Sequence, residues 1–78
     1  MNTAARIEAL LFYTAEPVSY ETLCDMLGIS QDECASAIIE LEEQRADTGI
    51  RLVRDRGSVE LATAPEARDL IEAYQERQ

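Results

Sequence analysis

The chain has 78 residues and sets 16 Asp and Glu against 7 basic side chains, all Arg, for a net charge of −9, which leaves room for one small domain but not for a large active site on its own scaffold. The absence of His and Lys removes the commonest general base, the commonest imidazole metal ligand and the Schiff-base amine, while 46% hydrophobic residues with three Gly and two Pro argue for a packed core over disorder. The longest apolar run, Ala9 to Tyr13, falls far short of the roughly 20 residues of a membrane span and follows an acidic Glu8, so a soluble, cytoplasmic protein is the expectation.

From Thr3 to Thr14, Ala4, Ile7, Leu10, Leu11 and Thr14 recur at helical spacing and predict an amphipathic first helix. Pro17 biases Glu16 away from helical dihedrals and turns the chain. Ser19 then caps a short second helix whose apolar residues are Leu23, Cys24, Met26 and Leu27. Gly28 stands where a helix commonly ends in a left-handed residue, with Ile29 free to pack back on Leu23 or Cys24. Ser30-Gln31-Asp32-Glu33 reads as a capping box and Ile29 with Cys34 as its hydrophobic staple, so a third helix starts at once. Its core stripe is Cys34, Ala37, Ile38 and Leu41, and Gly49 is expected to end it.

Beyond Gly49 the hydrophobic period drops to 2. Ile50 and Leu52 alternate with Arg51 and Val53, and Val59, Leu61 and Thr63 with Glu60 and Ala62, so Asp55-Arg56-Gly57-Ser58 joins two antiparallel strands in a hairpin. Thr63-Ala64-Pro65-Glu66 resembles a second capping box, with Ala67, Leu70, Ile71 and Tyr74 as the apolar side of a closing helix. The order helix-helix-helix-strand-strand-helix over residues 1–78 predicts a single domain, mainly α with a small β-hairpin: a winged helix-turn-helix.

Charge then separates the uses of that scaffold. In winged helices that read DNA the third helix enters the major groove and the hairpin touches the backbone. Between Ser30 and Thr48 six acidic residues face a single Arg, a net of −5 that disfavours direct DNA binding, whereas the hairpin carries Arg51, Arg54 and Arg56 against Asp55 and is the one basic patch available. A solvated hairpin, salt bridges to nearby acids, a protein-partner rim and DNA contact are all open to those arginines. On the first helix Ala5, Ala9 and Phe12 lie away from Ile7, Leu10 and Leu11 and offer an apolar contact surface, unless the helix is sandwiched and Phe12 is core. Ala35 and Ile39 lie off the main stripe of the third helix in the same way. Cys24 and Cys34 lack the further soft ligands a zinc site needs and read as buried reduced thiols, with a disulfide as the alternative. No metal, cofactor or catalytic residue is expected, and the rival to a protein-interaction module is a winged-helix DNA-binding transcriptional regulator.

The stretches Ile7-Glu8-Ala9-Leu10-Leu11-Phe12, Glu16-Pro17-Val18-Ser19 and Leu23 through Leu27-Gly28-Ile29-Ser30 resemble the opening of the segregation and condensation protein B family, subunits of the bacterial SMC condensin. Gly49-Ile50-Arg51-Leu52-Val53, Gly57, Val59-Glu60-Leu61-Ala62-Thr63 and Pro65-Glu66 extend the likeness to about Tyr74. The resemblance implies the first of the family's two winged-helix domains, with no counterpart to the second among these residues. It also implies a non-catalytic subunit that dimerises, binds the kleisin subunit, meets the SMC ATPase indirectly through it, and so joins chromosome condensation and partition on the nucleoid.

Overall fold

The computed structural model describes all 78 residues: α1 (Thr3–Thr14), β1 (Val18–Ser19), α2 (Tyr20–Leu27), α3 (Gln31–Gln44), β2 (Ile50–Asp55), β3 (Ser58–Thr63), a 3-10 turn (Pro65–Ala67) and α4 (Arg68–Glu76). Local chemistry sets most of these boundaries. Asn2 Oδ1 accepts from Ala5 N–H at 2.8 Å and Ser19 Oγ from Thr22 N–H at 3.0 Å, satisfying donors that the first helical turns would leave orphaned. The expected capping box is complete, with Glu33 N–H donating to Ser30 Oγ at 3.1 Å and Ser30 N–H to Glu33 Oε1 at 2.9 Å. Gly28 takes φ +67° and closes α2, its N–H and that of Ile29 both donating to the Cys24 carbonyl.

α1, α3 and β3 surround the core, with α2 against α3. All eleven buried residues are apolar. α1 contributes Ala4, Ile7 and Leu11, α2 only Leu23, α3 Cys34, Ala37, Ile38 and Leu41, and the sheet Leu52 and Val59. Each is a residue that the helical or alternating pattern assigns to an inward face. The hairpin turns through Arg56 at φ +48° and Gly57 at φ +81°, and two successive positive φ values make a type I′ turn whose twist matches the strands.

Four expectations need correction. Val18–Ser19 adds a third strand, giving the sheet order β1-β3-β2 with Val18 opposite Val59 and Ser19 opposite Ser58. Tyr20 N–H then donates to the Gly57 carbonyl at 2.9 Å, tying the wing tip to the start of α2. Thr63 caps nothing: it ends β3, the turn at Pro65 has no side-chain cap, and Glu66 pairs with Arg51. Gly49 does not end α3, which stops at Gln44 with Arg45 as its cap. Gly49 starts the hairpin instead, its carbonyl accepting from Ala64 N–H at 2.8 Å. Finally, α4 does not close the core, because it buries no residue and its main contact is the turn before it.

Candidate interaction surfaces

Phe12 is 78% exposed. α1 packs its Ala4, Ile7 and Leu11 side onto α3 and β3 and turns the opposite side to water, so the helix is not sandwiched. On that open side Ala9 is exposed, Ala5 half-buried, and Tyr13, 85% exposed, joins them. Tyr13 was legible in the sequence as the last residue of the Ala9–Tyr13 run. The result is a stripe of two small residues and two aromatic rings, with Glu8, one turn before Phe12, at its edge.

The wing arginines do not form one patch. Successive strand residues point to opposite faces, and the register pairs Leu52 with Leu61 and Arg54 with Val59, so Arg54 shares the inner face while Arg51, opposite Ala62, lies on the outer one. Arg56 sits at the exposed tip. Arg54 donates to Glu42 Oε1 of α3 at 2.9 Å, which raises its already high pKa further. Arg51 donates to Glu66 and from Nε to the Thr48 carbonyl at 3.0 Å. The Arg51 hydrogen bond holds the Glu66 carboxyl below the usual carboxylate range. Two of the three guanidinium groups are therefore committed to acids of this chain, and the outer face of α3 presents Asp32, Glu33, Glu40, Glu42 and Glu43. No guanidinium-lined face is offered to a phosphate backbone.

A groove of about 590 Å³ runs between α2, α3 and the wing, with Cys24, Cys34, Ala35 and Ile38 on its floor and Glu21, Asp25 and Arg54 at its edge. Both cysteines are free thiols, and burial, with Cys24 beside it, pushes the Cys34 thiol pKa up, the opposite of what a thiolate nucleophile needs. No group of three His, Cys, Asp or Glu side chains gathers at metal-binding distance, and no helix is long and apolar enough to cross a membrane.

Three helices, the third of them acidic, and a wing define a winged-helix domain. The profile of the segregation and condensation complex subunit ScpB matches residues 5–78. Segregation and condensation protein B of Pediococcus pentosaceus is 32% identical over 81 residues, covering 99% of this chain and 41% of that protein. That of Clostridium botulinum (strain Kyoto / Type A2) is 34% identical over 62 residues, covering 77% and 32%. The chain thus spans between about a third and two fifths of the length of these relatives. Among solved structures, the dimer of the ScpB N-terminal domain complexed with ScpA peptide superposes with a TM-score of 0.84 at 31% identity, covering 91% of each chain. The chain belongs to the segregation and condensation protein B family.

Proposed function

We propose that this winged helix is a non-catalytic module of a bacterial condensin subunit, one that pairs with a second copy of itself and binds the kleisin, ScpA, to act in chromosome condensation and partition. The observation that carries the reading is the likeness over 91% of the chain to a domain crystallised as a dimer with an ScpA peptide. The surfaces agree with it. An apolar stripe of Ala5, Ala9, Phe12 and Tyr13 suits a polypeptide partner, Arg51, Arg54 and Arg56 can tune encounter at a rim, and the acidic third helix repels nucleic acid. On this reading contact with the SMC ATPase runs through the kleisin, and the protein works in the cytoplasm on the nucleoid.

Sedimentation equilibrium tests the reading. The chain is expected at twice its own mass, rising further when an ScpA central-region peptide is added. A monomer that ignores the peptide would overturn it.

A further inference from the structure

Cys24 and Cys34 are the only thiols of the chain, and the helix-turn-helix brings them together. Cys24 stands four residues before Gly28 and Cys34 four residues after Ser30, so each lies about one helical turn from the vertex where α2 and α3 meet. Backbone hydrogen bonds pin that vertex from both sides. Gly28 N–H and Ile29 N–H donate to the Cys24 carbonyl at 2.9 and 3.2 Å, and Cys34 N–H donates to the Ser30 carbonyl at 3.0 Å. The two thiols meet as side-chain hydrogen-bond partners. They differ in access: both line the groove between α2, α3 and the wing, but Cys34 is 2% exposed and part of the core, whereas Cys24 is half-buried. A reagent entering the groove reaches Cys24 first. Glu21, Asp25 and Arg54 stand at the edge, and Arg54 is already paired with Glu42, so the entrance disfavours an anion.

We propose that Cys24 and Cys34 form an oxidation site, at which an uncharged low-molecular-weight disulfide converts the pair into an intramolecular disulfide that staples α2 to α3. The Cys24 thiolate attacks one sulfur of the reagent, the reagent's S–S bond breaks, and a mixed disulfide forms on Cys24 as the first small thiol leaves. The Cys34 sulfur, losing its proton, then attacks the Cys24 sulfur; the mixed S–S bond breaks and the second small thiol leaves. Two protein thiols are oxidised, one small disulfide is reduced to two thiols, and the two protons pass to the departing thiolates. Burial pushes the Cys34 thiol pKa up, which leaves the first attack to Cys24 and the resolving step to Cys34. In a reducing compartment the pair rests as free thiols, and the bond forms when the ratio of disulfide to thiol rises. The cross-link closes a short loop through the Gly28 turn and removes freedom from the unfolded chain. It also gives α2, whose one fully enclosed side chain is Leu23, a covalent tether to α3. Nothing in this inference depends on the dimer or kleisin reading.

The test treats the reduced full chain at neutral pH with hydroxyethyl disulfide, quenches with acid and weighs the product by mass spectrometry, beside Cys24→Ala and Cys34→Ala. Wild type is expected to lose two hydrogens and carry no adduct, Cys34→Ala to stop at a mixed disulfide, and Cys24→Ala to react more slowly than Cys34→Ala. Oxidised glutathione, an anion, is expected to oxidise wild type more slowly than hydroxyethyl disulfide does. The oxidised wild type should unfold at a higher urea midpoint than the reduced chain, and dithiothreitol should restore the lower one. Wild type that only collects adducts or does not react, a cross-linked chain whose midpoint falls, or glutathione disulfide that reacts as fast as the uncharged reagent would each overturn the proposal. The wild-type measurements need no substitution, so they decide the matter even where a variant fails to fold.

Discussion

Ala15 follows α1 in the left-handed region at φ 55°, ψ 24°, its N–H donating to the Leu11 carbonyl. A side chain there costs about 1–2 kcal/mol of steric strain, partly offset by the extra freedom glycine has when unfolded. Ala15→Gly is therefore expected to stabilise the domain by about 0.5–1 kcal/mol, read as a higher urea midpoint at unchanged m-value. Glu33 carries a pH prediction. Hydrogen bonds from the Ser30 backbone and hydroxyl hold its carboxyl below the usual carboxylate range. A pKa depressed by folding adds stability that is fully present above the unfolded value and is lost as pH falls through the folded one. The stability gap between wild type and Glu33→Ala should thus be widest near neutral pH and shrink as the solution is acidified below that range. A gap that widens in acid would refute the assignment.

Among the elements, α2 is anchored most deeply by one side chain, with Tyr20, Cys24 and Leu27 packed partly buried against the core. Leu23 is its only buried residue and is fully enclosed, so Leu23→Ala should cost about 2–5 kcal/mol and free the groove wall, measured by denaturant unfolding and by faster labelling of Cys34. The elements also show what a sequence can and cannot disclose. The stripes of α1 and α3 and the capping box at Ser30 are readable because they depend on neighbours three and four residues away. Val18–Ser19 is not, because a two-residue strand exists only through pairing with Val59 and Ser58, some forty positions on. Thr63 and Glu66 match a capping box in spacing, but β3 and Arg51 claim them first. The split of Arg51 from Arg54 follows from the period-2 alternation, which sends strand positions an odd number of residues apart to opposite faces. For α4, amphipathy announces that Leu70 and Tyr74 need cover, and nothing in the periodicity says whether the same chain supplies it.

Across the whole molecule the distribution of charge and apolar surface decides which partners the domain can take. The positions that a DNA-reading winged helix would use are acidic on α3 and, at Arg51 and Arg54 of the wing, already paired, whereas Phe12 and Tyr13 on α1 and Leu70 and Tyr74 on α4 are apolar and exposed. Salt should consequently strengthen self-association by screening the repulsion between two chains of −9, the reverse of the salt dependence of a DNA complex. The central claim is that this domain is an adaptor between polypeptides, and one titration tests it most directly. Fluorescence anisotropy of a labelled ScpA peptide is followed as protein is added at low salt, and the complex is then challenged with excess duplex DNA. A saturable rise that the duplex leaves unchanged is the predicted result; no rise, or displacement of the peptide by the duplex, would contradict it.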